Sequence, residues 1–210
     1  MHPNISTLLT GAKVIPVLVI EDAADALPLA QCLVDNGLPI LEITLRSEAA
    51  LQAIETIASK VEGAKVGVGS ILTEVQLNEA QSAGGQFGVS PGVSQKLLQA
   101  LEMSDWPFLL PGAGSLSEML TLRDAGFTQQ KLFPAAVLGG VSMLKSVAGP
   151  VSDIEFCPTG GIKPENAEEF LSQPNVFAIG GTWIAPLDLV RAKDWAEIGR
   201  RAAEASKLGV

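Results

Sequence analysis

The chain has 210 residues, 47% of them hydrophobic and 18% charged, and a formal net charge of −9. That size and balance describe a single domain (1–210) with enough chain for a full core, and they disfavour disorder, fibre and coiled coil; the negative charge disfavours binding to nucleic acid or to an anionic membrane surface. One histidine (His2), no tyrosine and two cysteines leave no parts for a Ser-His-Asp triad, a His-ligated metal site or a tyrosine acid.

The N-terminal stretch Met1-His2-Pro3-Asn4-Ile5-Ser6 lacks a basic region leading into a long apolar run. No later segment approaches the ~20 apolar residues of a membrane span, so a cytoplasmic, unprocessed chain is expected. Cys32 and Cys157 lie far apart without a CxxC, and are read as two buried, reduced thiols.

After a short N-terminal helix, eight β-rich runs follow in order: 14–20, 38–45, 65–70, 86–90, 108–110, 131–133, 154–157 and 176–179. Each is followed by a stretch with helical spacing. Thr73 with Gln76, and Ser115 with Glu118, have capping-box spacing, and Ser47 and Ser94 are further N-cap candidates. Gly37 and Gly126 stand where a left-handed C-terminal cap would sit, and Pro28 belongs in the first turn of its helix. Eight such units in 210 residues average about 26 residues each, close to the minimum for a strand, a crossover helix and two short loops. The expectation is an α/β fold, a (β/α)8 TIM barrel. A doubly wound open sheet is the alternative, but neither GxGxxG nor GxxxxGK[ST] is present.

In such a barrel the chemistry sits at the C-terminal strand ends. The second strand carries Glu42, Thr44 and Arg46 on one face, either a structural ion pair or a carboxylate base beside an anion clamp. Gly67-Val68-Gly69-Ser70 would let a ligand approach the backbone and leave a hydroxyl at the mouth. Ser90-Pro91-Gly92 and Leu110-Pro111-Gly112-Ala113-Gly114 read as turns. Thr159-Gly160-Gly161 and Gly180-Gly181-Thr182 follow the last two strands, where barrels of this kind bind phosphate through backbone N–H groups. Lys13 and Lys65 begin their strands and belong to the opposite, stabilising face. Lys131, just before Phe133-Pro134, is either a solvated strand start or a nucleophile. With no useful histidine, tyrosine or metal cluster, a lysine imine remains an available electron sink for carbonyl chemistry. An apolar interior and a nearby cation such as Arg46 would favour the neutral amine that attack requires.

At these residues the chain resembles the class I aldolases of 2-keto-3-deoxy-6-phosphogluconate (KDPG) and 4-hydroxy-2-oxoglutarate (KHG). The likeness runs through nearly the whole chain. It is carried by Glu42-Ile43-Thr44-Leu45-Arg46, Gly67-Val68-Gly69-Ser70, 86–92, Lys131-Leu132-Phe133-Pro134-Ala135, 156–162 and Ile179-Gly180-Gly181-Thr182-Trp183. The resemblance implies that Lys131 forms the Schiff base and that Glu42 is the general acid/base. Arg46 and Ser70 would hold the pyruvyl carboxylate, while Pro91 and Phe133 shape the pocket. Thr159 would contact the aldehyde-side hydroxyls, and Gly160, Gly161, Gly181 and Thr182 would receive the phosphate. Ser70 and Thr182 depart from the commoner Thr and Ser, each keeping a hydroxyl. Thr159, where aldolases of the galactonate epimer tend to be apolar, favours the gluconate configuration. The resemblance further implies a homotrimer, no metal and no cofactor. Its small-molecule partners would be pyruvate, a phosphorylated keto-deoxy sugar acid and glyoxylate. Two other readings stand beside it: a sugar-phosphate isomerase or epimerase using Glu42 as base, and a binding protein in which the charges only satisfy one another.

Overall fold

The computed structural model describes residues 4–9 and 11–209; His2 lies outside the described residues. A short helix, α1 (Ser6–Leu9), precedes a regular alternation of strand and helix. The first half runs β1 (Val14–Leu18), α2 (Ala26–Asp35), β2 (Ile40–Thr44), α3 (Ala50–Lys60), β3 (Lys65–Gly69), α4 (Glu74–Ser82), β4 (Phe87–Val89) and α5 (Gln95–Met103). The second runs β5 (Leu109–Leu110), β6 (Gly112–Ala113), α6 (Leu116–Asp124), β7 (Gln129–Leu132), α7 (Val141–Ala148), β8 (Glu155–Pro158), α8 (Pro164–Leu171), β9 (Ile179–Gly181), α9 (Leu187–Ala192) and α10 (Trp195–Ala205).

All strand pairs are parallel. They form a six-stranded ladder, β5-β4-β3-β2-β1-β9, and a three-stranded one, β6-β7-β8. Only Pro111 separates β5 from β6: on one side of it the chain pairs with β4, on the other with β7. At the far edges, single bridges join Phe156 to Val176 and Thr159 to Gly180. The result is an α/β fold around a curled parallel sheet.

The period of two in each strand divides the apolar residues between two cores. Outward residues such as Leu41, Ile43, Val66 and Val68 pack against the helices in a large outer cluster. Inward ones (Ile15, Ile40, Phe87, Val89, Leu110, Cys157) form a smaller cluster with Phe177 and with Ile5 and Leu9 of α1. Burial of each large aliphatic side chain contributes about 1.5–3 kcal/mol. Lys13 and Lys65 stand at the N-terminal strand ends, where their ammonium groups donate to the carbonyls of Phe177 (3.4 Å) and Leu8 (2.7 Å). They belong to the end of the sheet away from the cavity described below.

Local signals in the sequence account for most element boundaries. Ser94 accepts from Leu97 N–H at 3.2 Å, Thr73 from Gln76 N–H at 3.2 Å and Ser115 from Glu118 N–H at 3.4 Å. The reciprocal arms of the two boxes reach one residue further back, to Leu72 N–H and Gly114 N–H. Gly37 (φ +87°) and Gly126 (φ +93°) end α2 and α6 in the left-handed conformation, and Pro28 lies in the first turn of α2.

Four expectations are corrected. Ser47 is not an N-cap: α3 starts three residues later, and the Ser47 hydroxyl donates to the Ile20 carbonyl at 2.5 Å. The last strand lies further along than 176–179, because Ile179, Gly180 and Gly181 pair with β1 and the glycines become strand residues. Cys32 is only half-buried, with its thiol donating to the Trp195 carbonyl. Gly67 and Gly69 open space for side chains: a Cβ at Gly67 would overlap the Phe87 ring, and one at Gly69 the Glu42 carboxylate. Gly67→Ala should therefore lower unfolding free energy by about 1–3 kcal/mol through overpacking, measured as a reduced urea midpoint at unchanged slope.

Candidate active site

Glu42 is the third residue of β2 and Lys131 the third of β7, in different ladders, and both point inward. Their side chains meet: Lys131 Nζ lies 3.0 Å from Glu42 Oε1 and 3.4 Å from Oε2. The residues are only 3% (Glu42) and 4% (Lys131) exposed. Lys131 is thus an interior strand residue, and the solvated-start reading falls away. Taking two charges out of water costs several kcal/mol per ion, so such a pair is weak evidence for stability and needs another reason to exist.

The backbone holds Lys131 firmly. Its N–H donates to the Pro111 carbonyl at 2.9 Å, and its neighbours across the ladder are the small residues Gly112 and Cys157. The Phe133 ring lies with its centroid 5.6 Å from Nζ, a distance at which the ring face attracts a cation. The charged partner of Lys131 is Glu42; Arg46, the nearby cation of the sequence reading, lines the same cavity and donates through Nε to Thr44 Oγ1 at 3.0 Å. An ammonium that loses its proton here has a carboxylate within hydrogen-bond reach to receive it.

Above the pair opens a cavity of about 470 Å3 at the C-terminal ends of the strands. It is lined by every residue the sequence singles out for chemistry. Glu42, Lys131 and Thr159 come from its buried wall, Arg46 and Ser70 from the exits of β2 and β3, and Pro91 and Phe133 from the exits of β4 and β7. Gly160 and Gly161 follow β8, Gly181 ends β9 and Thr182 follows it. Both glycines after β8 are left-handed, with φ +97° and +77°, which turns the backbone beside the cavity. Sequence reasoning gave Val17, Leu72, Ile162 and Thr44 no role in the site, and all of them line it. The apolar ones carry no chemical signal, but Thr44 stood in plain view in the Glu42-Thr44-Arg46 alternation.

Two local states bear on reactivity. Ser70 adopts φ +62°, a left-handed conformation costly for any residue with a Cβ and more so for a β-branched one. That geometry suits serine better than a β-branched hydroxyl residue such as threonine. Burial pushes the Cys157 thiol up to about 12; the nearby Lys131 opposes this and Glu42 adds to it. Burial and Asp35 raise the Cys32 thiol as well. Among the described residues no three His, Cys, Asp or Glu side chains gather to hold a metal ion, and no helix is long and apolar enough to cross a membrane.

A buried lysine–carboxylate pair beneath a cavity ringed by strand ends has the parts of a Schiff-base lyase, and comparison gives both that class and the family. The chain belongs to the KDPG and KHG aldolases, whose family model matches residues 5–201. It is 47% identical over 198 residues to 2-dehydro-3-deoxy-phosphogluconate aldolase of Pseudoalteromonas atlantica, covering 94% of this chain and 92% of that one. It is 42% identical over 205 residues to the KHG/KDPG aldolase of Escherichia coli K12, with 96% of each covered. Its fold superposes with a TM-score of 0.93, at 38% identity and over 98% of this chain and 99% of the other, on the crystal structure of a Legionella pneumophila KDPG aldolase. That structure holds pyruvate captured at low pH as a covalent carbinolamine intermediate.

Two measurements follow. Ser70→Gly and Ser70→Ala both delete the hydroxyl, but only glycine relieves the left-handed backbone, so the glycine variant should be the more stable by about 1 kcal/mol in urea unfolding. With its thiol held protonated and buried, Cys157 should stay unmodified by a thiol reagent at pH 8 in the folded enzyme and react fully in denaturant, as read by peptide mass mapping.

Proposed function

We propose that the protein is a class I aldolase that cleaves 2-keto-3-deoxy-6-phosphogluconate to pyruvate and glyceraldehyde 3-phosphate, and 4-hydroxy-2-oxoglutarate to pyruvate and glyoxylate. The observation that carries this reading is the Lys131–Glu42 contact at 3.0 Å, buried beneath the cavity that Arg46 and Ser70 also line. The relatives' names supply the substrates.

In this reading the Lys131 ammonium gives a proton to Glu42, and the free amine attacks the C2 carbonyl. Glu42 returns that proton to the carbinolamine hydroxyl, which leaves as water and yields the protonated imine. Glu42, through a water, then takes the C4 hydroxyl proton as the C3–C4 bond breaks. The bonding electrons pass into the imine, giving an enamine and releasing the aldehyde. Protonation of C3 by Glu42 and hydrolysis of the imine release pyruvate and restore the lysine.

Arg46 and the Ser70 hydroxyl hold the carboxylate of the pyruvyl half. Pro91 and Phe133 confine it. Thr159 contacts the hydroxyls of the aldehyde half and favours the gluconate configuration. Gly160, Gly161, Gly181 and Thr182 receive the phosphate through backbone N–H groups and a hydroxyl. The chemistry needs neither metal nor cofactor, because the protonated imine is itself the electron sink.

The same reading takes the two ladders as arcs of one closed (β/α)8 barrel forming a single domain (1–210). Its support is the continuity of β5 and β6 through Pro111 and the bridges that join β8 to the β9 segment. It takes the enzyme as a homotrimer on family resemblance, and as cytoplasmic because Cys32 and Cys157 are free thiols.

Borohydride reduction in the presence of pyruvate should leave a reduced pyruvyl adduct on the peptide that contains Lys131. Lys131→Met should stay folded, lose the adduct and lose cleavage by on the order of a thousandfold or more. An unlabelled Lys131 in active enzyme would point instead to an isomerase-type mechanism with Glu42 as base.

A further inference from the structure

Thr44 is the last residue of β2 and almost fully buried. Its hydroxyl donates to the Leu18 carbonyl of β1 at 2.8 Å. Because a hydroxyl has one proton, the oxygen can only accept on its other side, and there Arg46 Nε lies at 3.0 Å. A guanidinium can only donate, so the sense of this relay is fixed from the β1 carbonyl outward. The Arg46 backbone N–H also donates to the Thr44 carbonyl, at 2.8 Å. Among the described residues no other side-chain hydrogen bond or ion pair engages that guanidinium, so its two Nη groups are left as a parallel pair of donors in the cavity wall. Two residues back on the same face stands the buried Glu42 carboxylate, which an untied guanidinium sharing the cavity would be drawn to.

We propose that the Thr44 hydroxyl is the positioning residue of the site: by holding Arg46 Nε it aims the Nη pair at the substrate carboxylate and keeps the guanidinium off Glu42, leaving Glu42 to Lys131. The inference rests on the assignment of Arg46 to the pyruvyl carboxylate. Packing alone would not require the hydroxyl, since valine fills the same volume and keeps the β-branch.

The test is solvent exchange of the pyruvate methyl protons, followed by NMR in D2O, for wild type, T44V, T44S, R46Q and T44V/R46Q. T44V should raise half-saturating pyruvate by about ten- to a hundredfold while lowering the limiting exchange rate less. T44S should stay within about twofold of wild type, because the relay survives; the bound allows for lost packing of one methyl. The double variant should bind pyruvate no more weakly than R46Q alone, since the threonine acts through the arginine. An unchanged half-saturation in T44V, or penalties that multiply in the double variant, would overturn the proposal. An unchanged half-saturation in R46Q would overturn the carboxylate assignment itself and the proposal with it. Circular dichroism checks folding; should T44V not fold, T44A carries the same comparisons.

Discussion

A lysine and a glutamate removed from water and set 3.0 Å apart are the constraint to which the rest of this interior answers. Either charge alone would be costly at that depth, and each offsets part of the other's desolvation. They arise on β2 and β7, which belong to different hydrogen-bonded ladders, so the sheet must curl for them to meet. Room is made by omission. Gly69 carries no Cβ where the Glu42 carboxylate lies, and Gly112 and Cys157 flank Lys131 with little bulk. The Phe133 ring stands 5.6 Å from the ammonium, centroid to Nζ, without adding a competing hydrogen-bond acceptor.

A formal charge of −9 sets a repulsive field for an anionic substrate, so attraction has to be local. The structure concentrates it at the strand exits. Arg46 projects from the end of β2, and the left-handed Gly160 and Gly161 turn backbone toward the cavity. The cavity therefore places its single guanidinium at the exit of β2 and uncharged donors at the exits of β8 and β9. That division matches a substrate with a carboxylate beside its carbonyl and a phosphate at its far end.

Much of this was legible in the sequence because the relevant signals are local. Alternation over 38–46 put Glu42, Thr44 and Arg46 on one face, and Ser94, Gly37 and Gly126 marked helix ends through hydrogen bonds with near neighbours. What was misread depends on residues distant in the chain. Whether Gly69 opens space for a ligand or for a side chain is decided by Glu42, and whether Gly180 and Gly181 follow a strand or belong to one is decided by pairing with Ile15 and Pro16. Arg46 was expected near Lys131 as a cation that favours the neutral amine; it shares the cavity, but that the Thr44 hydroxyl holds its Nε was not foreseen. The left-handed backbone of Ser70 had no sequence signal, since serine is common in ordinary conformations too.

The small helix at the start of the chain has a consequence for traffic. Ile5 and Leu9 join Ile15, Ile40, Phe87, Phe177 and Ala178 in a packed plug beneath the reactive pair, so the interior is blind at that end. Everything that enters or leaves must use the rim. On the mechanism proposed above the pyruvyl fragment is tethered to the buried Lys131, and the aldehyde fragment would stand between it and the opening. Departure would then be sequential, aldehyde before pyruvate, and in the direction of synthesis pyruvate would dock before its partner. The closed floor and the tether together would set that queue.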